Sequence, residues 1–214
     1  MTRRHGSASD RRPGWMPPRV ITGTAKGRRL HCPPDPRIRP ATDRLKTALF
    51  NILFDVEDLR VLDLFAGCGA VGIEALSRGA AHVTFVDSYA PAVEAIRGNL
   101  DACRLADRAE VVEADCAAWT ETTARGPASG AGFDLVFVDP PYDVAVASLE
   151  RIAAALSTPG FLSPYARLAY ERRTGDDPPP LPQGCETVLR RAYGQTTLFV
   201  AEHGDRSQPT QENK

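Results

Sequence analysis

Histidine, methionine and tryptophan are scarce in this sequence, with four, two and two residues among 214. No apolar run approaches the roughly 20 residues that cross a bilayer, so we expect no membrane association. The residues after Met1 are rich in arginine, so we expect no secretory signal. The composition, 43% hydrophobic and 25% charged, is that of a soluble globular domain.

The five cysteines are odd in number, scattered, and never spaced as CxxC. This pattern favours neither a disulfide framework nor a zinc site, so the sequence predicts no metal. A reduced, cytoplasmic environment is expected.

Charge is close to balanced over the whole chain, with a net charge of −1, but it is unevenly distributed. Residues 1–46 contain twelve of the 26 basic residues and three of the 27 acidic ones, so this segment carries +9 and the remainder −10. A basic arm on an acidic body suggests a partner that bears phosphates. For residues 1–18 a merely solvated tail is the favoured interpretation.

The pattern divides the chain into four parts. Residues 1–18 are a basic tail without predicted order, and 204–214 are a second polar tail. Residues 19–57 are predicted as a charged β-hairpin and a helix: strands at 19–23 and 28–31 are joined by a turn, and the helix begins at Asp43, capped by Thr42 or Asp43.

Residues 58–203 alternate strands with helices, which predicts an α/β fold with a mainly parallel, doubly wound, Rossmann-like sheet. The last two strands have no helix between them, which predicts an antiparallel edge. The strands are predicted at 61–65, 82–86, 109–113, 133–138, 165–170, 186–192 and 196–201, and the helices at 70–78, 90–103 and 145–157. The third helix is expected to direct Val146, Leu149, Ile152 and Leu156 inward.

A glycine-rich segment follows the first strand of this domain. Gly67, Gly69 and Gly72 match GxGxxG, and Asp87 closes the second strand. Glycines allow a tight turn with a ligand against bare backbone, and an acid after the second strand accepts ribose hydroxyls. This geometry serves NAD and S-adenosylmethionine alike.

Two acidic residues favour S-adenosylmethionine. Asp63 lies near the end of the first strand, where its carboxylate suits the cationic amino-acid end of that cofactor and would repel a pyrophosphate. Asp115 follows the third strand and can accept from an adenine amino group while the next backbone N–H donates to the ring; a helix N-cap is the alternative role for Asp115. The expected cofactor contacts are Asp63, Phe65, Ala66, Gly67, Gly69, Asp87, Ser88, Asp115, Cys116 and Asp139.

The fourth strand runs directly into Asp139-Pro140-Pro141-Tyr142. A carboxylate at 139 and a carbonyl at 140 can accept the two N–H groups of an exocyclic amine, so that its lone pair faces a methyl donor. Proline fixes φ at 140 and 141, and Tyr142 offers an aromatic face to a base. We therefore predict these four residues as the catalytic motif.

With these residues in view, the sequence resembles the RsmD family of bacterial 16S rRNA guanine-N2 methyltransferases over about residues 19–202. The resemblance rests on these motifs and on segments 19–23, 27–30, 39–44, 72–80 and 193–196. It implies a class I methyltransferase fold with an N-terminal hairpin extension. It also implies transfer of a methyl group to the exocyclic N2 of a guanine in 16S rRNA.

The expected partner is therefore 16S rRNA or the assembling small ribosomal subunit, and a monomer is expected. Residues predicted to bind RNA are Arg19, Lys26, Arg28, Arg29, Arg39, Thr42 and Arg44; for Arg39 and Arg44, helix capping and surface charge are the alternatives. The chain departs from the usual family pattern at Cys68 for Ser, Asp87 for Glu, Tyr142 for Phe and Ala41 for Thr.

Two other classes of function stay open at this point. An Asp-Pro-Pro-Tyr motif also serves enzymes that methylate adenine N6 in DNA or a glutamine amide in protein, although 214 residues leave little room for a DNA-recognition domain. A non-catalytic module that binds a dinucleotide or RNA is the other alternative.

Overall fold

The computed structural model describes residues 17–35, 38, 42–53, 55–126 and 132–204. The helices are α1 (Asp43–Leu53), α2 (Ala70–Ser77), α3 (Ala90–Cys103), α4 (Cys116–Arg125) and α5 (Val146–Leu156). The strands are β1 (Arg60–Leu64), β2 (His82–Asp87), β3 (Ala109–Glu113), β4 (Phe133–Val138), β5 (Leu162–Arg173), β6 (Cys185–Tyr193) and β7 (Thr196–His203). Within these ranges no helix has the length and apolar composition that crossing a bilayer requires.

The seven strands form one sheet in the order β3-β2-β1-β4-β5-β7-β6. The five strands from β3 to β5 are parallel, and β7 is antiparallel to both β5 and β6. The predicted doubly wound sheet with an antiparallel last strand is confirmed. The antiparallel strand is internal, however, because β7 pairs with β5 and leaves β6 at the edge.

Two hydrophobic cores cover the two faces of the sheet. On one face, α1, α2, α3 and residues of the N-terminal segment pack against β-strand side chains such as Val61 and Phe137. On the other face, α4 and α5 pack against Leu62, Leu64 and Val138. Because successive strand residues alternate between faces, Asp63 belongs to the same face as Val61 and Phe137.

Helix α1 runs along the first of these faces, antiparallel to β5. Its last residue, Leu53, accepts a hydrogen bond from the Arg167 side chain in the middle of β5 (3.1 Å). One turn earlier, the ring of Phe50 meets that of Phe137 edge-on, with centroids 6.0 Å apart. Thr42 caps the helix, since its Oγ1 accepts the Leu45 N–H at 3.2 Å. The helix therefore starts close to the edge of the sheet at which β5 ends.

Three expectations about local structure are wrong. The hairpin of the extension is shorter than predicted: Val20 N–H donates to Arg28 O (2.9 Å) and Leu30 N–H to Pro18 O (2.8 Å) around a bridge between Arg19 and Arg29, whereas its turn bonds to α2, as in Thr24 N–H to Ser77 O (2.8 Å). Strand β5 continues beyond residue 170 to Arg173, because β7 pairs with it as far as that residue. Val146 is 58% exposed and not directed inward. Of the predicted tails, residues 1–16 and 205–214 lie outside the described residues.

Candidate active site

The carboxyl ends of β1, β2, β4 and β5 meet at one edge of the sheet, where open α/β sheets bind ligands. The structure brings Asp63, the glycine turn, Asp87 and Asp139 together at this edge. The pairing partners Asp63 and Phe137 fix the register of β1 against β4, so that Asp139 comes two residues further along, at the end of its strand.

The turn after β1 has a left-handed backbone. Its φ values are +59° at Phe65, +57° at Gly67 and +76° at Gly69. Glycine adopts this region without steric cost, and Phe65 is held in it while its N–H points to the Cys116 sulfur at 3.3 Å. Gly72 has a different role, because a Cβ there would lie 2.3 Å from the Phe85 ring. The third glycine of the motif therefore allows α2 to pack closely on β2.

The Asp87 carboxylate holds this turn. Its Oδ2 accepts the Gly67 N–H at 2.8 Å and its Oδ1 accepts the Tyr89 N–H at 2.9 Å. Burial raises the pKa of Asp87, although these backbone hydrogen bonds act in the opposite direction. The predicted ribose-binding acid thus also has a structural role, and it is positioned by the same glycine turn that it stabilises.

Asp63 is a buried carboxylate beneath the same turn. It is 4% exposed, and its Oδ2 accepts the Gly72 N–H at 3.0 Å. Its pKa is raised to about 7, mainly by burial and also by the charges of Asp139 and Asp87, although the hydrogen bond from the Gly72 N–H acts in the opposite direction. A site with this electrostatic character suits a cationic ligand and disfavours a pyrophosphate.

The start of α4 borders the glycine turn. The Asp115 side chain accepts the Ala118 N–H at 2.9 Å, so its alternative role as a helix N-cap is confirmed. Cys116 is buried, and its Sγ contacts the Phe65 N–H. Ala66 donates its N–H to Val86 O at 3.2 Å, and Ser88 is exposed directly after β2. Contact of these residues with a cofactor stays a prediction.

The predicted catalytic motif forms the end of β4. Asp139 is half-buried, and its N–H points to Leu64 O at 3.5 Å, so the motif begins against β1. Pro140 is buried and Pro141 is exposed. Tyr142 is 45% exposed, a fraction that among the described Phe, Tyr and Trp residues only Tyr165 exceeds. The motif therefore presents a carboxylate and an aromatic face at the edge of the sheet.

Glu171 also lies at this edge, and sequence reasoning missed it because the predicted fifth strand ended one residue earlier. Burial, followed by the charges of Asp139 and Asp63, raises the pKa of Glu171. Glu171 is two residues after Ala169, so the two side chains lie on one face of β5. That this is the face of Asp139 follows only from the register between β4 and β5, which the sequence does not provide.

The N-terminal extension (residues 17–31) is hydrogen-bonded to α2 through two residues whose role the sequence did not reveal. Glu74 is fully buried and accepts the N–H groups of Ile21 (2.7 Å) and Thr22 (3.0 Å). Ser77 donates to Thr22 O at 2.6 Å and accepts the Ala25 N–H at 2.9 Å. These contacts make the extension part of the folded domain.

The predicted RNA-binding residues lie on this extension and at the start of α1. Arg19 pairs with Asp43 at 2.8 Å but keeps a side chain that is 65% exposed. Lys26, Arg28, Arg29 and Arg44 are exposed, Thr42 caps α1, and Arg39 lies outside the described residues. An open groove of about 390 Å³ separates the extension and α1 from the β6–β7 turn; its lining includes Arg19, Arg44, Asn51 and Tyr193.

Comparison with known proteins places this architecture among methyltransferases. A model of the family described as "Conserved hypothetical protein 95" matches residues 18–202. "Putative rRNA methyltransferase YlbH" of Bacillus subtilis is 41% identical over 125 residues, which cover 58% of this chain and 66% of that protein. "Ribosomal RNA small subunit methyltransferase D" of Escherichia coli K12 is 33% identical over 178 residues, which cover 83% of this chain and 85% of that protein.

Solved structures agree with these relatives. "Putative methyltransferase yhhF from Escherichia coli" has a TM-score of 0.75 and 30% identity, and the match covers 87% of this chain and 98% of that one. The structure of SMU.776, "a putative methyltransferase complexed with SAH", has a TM-score of 0.57 at 14% identity, covers 75% and 49% of the two chains, and is similar in fold alone.

Proposed function

Since this chain belongs to the family described as Conserved hypothetical protein 95, we propose that it methylates the exocyclic N2 of a guanine in 16S ribosomal RNA. The family match and the relative from Escherichia coli confirm the resemblance to RsmD proteins. The chain is a methyltransferase with the class I fold, and S-adenosylmethionine is the cofactor that fits its site. The target base, the RNA and the roles of individual residues are the proposal.

The residues at the edge of the sheet fit this cofactor. S-adenosylmethionine supplies a methyl group on a positively charged sulfur and carries an ammonium group. Asp63 offers a buried carboxylate to the cationic end, and its pKa of about 7 indicates that a nearby positive charge would favour its ionised form. Asp87 offers carboxylate oxygens to ribose hydroxyls beside Gly67, and Asp115 lies where an adenine can be bound.

Asp139 and Pro140 orient the amine of the substrate. The lone pair of an exocyclic amine is delocalised into the base, so the amine is a poor nucleophile until the lone pair is localised. The Asp139 carboxylate accepts one N–H and the Pro140 carbonyl accepts the other. Both hydrogen bonds strengthen as positive charge develops on nitrogen, so they stabilise the transition state more than the ground state. Orientation of this kind contributes roughly 7–11 kcal/mol in favourable cases.

Tyr142 supplies a surface on which the target base stacks. Its ring is 45% exposed at the end of the motif, with its backbone fixed by the preceding prolines. Stacking of a base on an aromatic side chain is worth about 1–3 kcal/mol. The ring can therefore hold a base that has left its own helical stack.

The RNA backbone follows the N-terminal extension. Arg19 and Arg44 line the groove beside α1, and α1 begins near the edge at which Asp139 lies. Lys26, Arg28 and Arg29 continue the exposed positive charge along the extension, and Arg39 falls between the extension and α1 in sequence. Phosphate contacts position an RNA without reading its sequence.

The observation that carries this proposal is the position of Asp139. It is the first residue after β4, beside the Asp63 carboxylate and the glycine turn after β1, on the face to which the extension is attached. This position supports the proposal that Asp139 accepts the amine between a cofactor on the glycine turn and an RNA bound along the extension.

Mass mapping of modified nucleotides tests the proposal. Small subunits from cells that lack this protein are incubated with the purified chain and labelled cofactor, and the rRNA is then digested. We expect label in N2-methylguanine at one position of 16S rRNA. Label in adenine of duplex DNA, or in protein glutamine, would replace the proposal with one of the other amine substrates.

We also propose that the protein acts as a monomer in the cytoplasm. The cofactor residues, the catalytic motif and the basic extension all belong to one chain, and all five cysteines are unpaired. A single mass near 23.2 kDa by light scattering would support the monomer, and cell fractionation tests the location.

A further inference from the structure

Glu171 lies next to Asp139 in the sheet, on the side away from the glycine turn. Val138 pairs with Tyr170 in the parallel register of β4 and β5, so Asp139 and Glu171 are the next pair along these strands. Asp63, Phe137 and Ala169 are aligned one pair of residues earlier. Because side chains alternate along a strand, Asp139 and Glu171 share the face of Asp63.

The order of the strands separates the two halves of the site. The glycine turn and Asp87 follow β1 and β2, on one side of β4, whereas β5 is on the other side. A cofactor on the glycine turn therefore leaves the space at the carboxyl ends of β4 and β5, beyond the start of α1, for the substrate. Glu171 borders that space, and Asp139 lies between it and the cofactor.

The carboxylate of Glu171 has no structural partner among the residues that the structure describes: neither a hydrogen bond nor an ion pair fixes it there. It contrasts with Glu74, which is also acidic and binds two backbone N–H groups and Arg78. Burial and the charges of Asp139 and Asp63 raise the pKa of Glu171, as expected of a carboxylate that lacks a donor. An N–H group of a bound ligand would therefore stabilise the ionised form of this half-buried carboxylate.

The bases differ in the atom beside their exocyclic amine. In guanine the N2 amine is flanked by N1–H, which is a donor. In adenine the amine is flanked by the N1 lone pair, and in cytosine by the N3 lone pair, which are acceptors. In its ionised form, which a bound N1–H donor stabilises, a carboxylate beside the group that holds the amine is complementary to the guanine arrangement and repels the other two.

We propose that Glu171 is the specificity-determining residue that selects guanine, by accepting its N1–H while Asp139 and the Pro140 carbonyl hold N2. This inference rests on the proposed function and extends it from a class of amine to one base. A buried acceptor of this kind rejects a base that lacks the donor, because the unpaired group then loses its solvation without compensation. Glu171 therefore contributes recognition, and Asp139 contributes orientation of the amine.

The test uses 2-aminopurine, which carries the amine at C2 but has an unprotonated N1. Two small-subunit RNAs are prepared, with guanine or 2-aminopurine at the position that the wild-type enzyme methylates. Wild type is expected to favour guanine in kcat/KM by roughly 10- to 100-fold. In Glu171→Gln the ratio should narrow to within about threefold or invert, because the amide N–H can donate to N1.

Fluorescence of 2-aminopurine provides a readout that does not require turnover. The fluorescence change that reports entry of 2-aminopurine into the active site should occur at a lower protein concentration with Glu171→Gln than with wild type. Glu150→Gln, an exposed position on α5, is the matched control and should keep the wild-type ratio. Cofactor affinity should be unchanged in Glu171→Gln, which is isosteric with wild type, and the unfolding temperature should not fall, because the amide removes a carboxylate that burial disfavours.

The outcomes separate the two proposals. If wild type methylates guanine at N2 but Glu171→Gln has the wild-type ratio in both turnover and base insertion, the role of Glu171 is refuted. If the variant loses turnover on both RNAs, the insertion measurement decides. If wild type does not methylate N2 of the guanine-containing RNA, the proposed function itself fails.

Discussion

The carboxylate of Glu74 accepts the backbone N–H of Ile21 at 2.7 Å, which joins α2 to the N-terminal extension across 53 positions of sequence. Glu74 is fully buried and also pairs with Arg78 at 2.8 Å. One acidic residue of the helix behind the glycine turn thus positions the basic extension. The proposed RNA-binding surface and the proposed cofactor site consequently share α2 as a support.

Replacement of Glu74 by Ala is expected to destabilise the protein by about 3–5 kcal/mol, because two backbone N–H groups and a cation lose their buried partner. RNA affinity should fall with it, since the extension is released from α2. Urea unfolding and proteolysis of residues 17–31 measure both effects. Glu57→Ala, at an exposed position, is the control; equal stability of the two variants would contradict this role.

Replacement of Asp139 by Ala should strongly reduce turnover and leave cofactor binding largely intact. Loss of one preorganised acceptor at a developing charge costs about 10²- to 10³-fold in kcat. Single-turnover methylation and calorimetric titration of the cofactor measure the two quantities. Asp107→Asn, before β3 at the opposite edge of the sheet, should resemble wild type in both. Equal loss of cofactor binding and turnover in Asp139→Ala would remove the proposed division of roles.

Replacement of Asp87 by Ala should weaken cofactor affinity before it lowers the maximal rate. The variant should also lose about 1–3 kcal/mol of stability, because the N–H groups of Gly67 and Tyr89 lose their acceptor. Titration of the cofactor and thermal unfolding of the cofactor-free protein test both expectations. Asp87→Glu, which restores the usual family residue, should retain more affinity than Ala; an unchanged dissociation constant in Ala would contradict the assignment.

Asp63 should make the cofactor-free protein less stable as pH rises. The folded pKa of about 7 lies above the ordinary value near 4, so the folded state binds this proton more tightly than the unfolded state. The free energy of unfolding should therefore decline between about pH 4 and pH 7, by at most about 4 kcal/mol from this group, and level off above.

The variant Asp63→Asn isolates this contribution. Because Asn stays neutral, it should flatten the decline and be more stable than wild type above about pH 7, while its cofactor affinity falls. Cofactor binding to wild type near neutral pH should release protons, which calorimetry in buffers of different ionisation enthalpy detects. A pH profile of stability identical in wild type and Asp63→Asn would show that Asp63 does not titrate in this range.

Replacement of Arg44 by Gln should weaken RNA binding similarly for all RNA sequences. If Arg44 neutralises one phosphate, the slope of log affinity against log salt should decrease by about one unit. Binding isotherms at several salt concentrations give the slope. Arg125→Gln, at the end of α4 on the other face of the sheet, should leave it unchanged; a slope equal to wild type in Arg44→Gln would exclude a phosphate contact at this position.

The parts of the site that come from neighbouring residues were predictable. Gly67 and Gly69 require left-handed backbone, and this requirement is local. Asp139 follows a continuous apolar strand, so its place at the end of β4 follows from the strand itself. Once the strands are parallel, their ends must meet at one edge, and the site is located.

The parts that depend on distant partners were not predictable. The interpretation of Asp115 was open between a cap and a ligand contact, and the Ala118 N–H settles only the cap. The length of the hairpin in the extension was overestimated, because backbone groups of its turn form hydrogen bonds with α2 and no local pattern reveals these bonds. Glu171 was missed because β5 is extended by pairing with β7, as in the pair Glu171 and Leu198.

The sequence by itself therefore determined the order of strands and helices, the glycine turn and the position of the Asp-Pro-Pro-Tyr motif, since each depends on side-chain period and backbone preference over a few residues. Only the tertiary structure decided which carboxylates share a face, that Glu74 holds the extension, and that Glu171 lies beside Asp139. Those relationships depend on strand register and burial, and residues far apart in the chain set both.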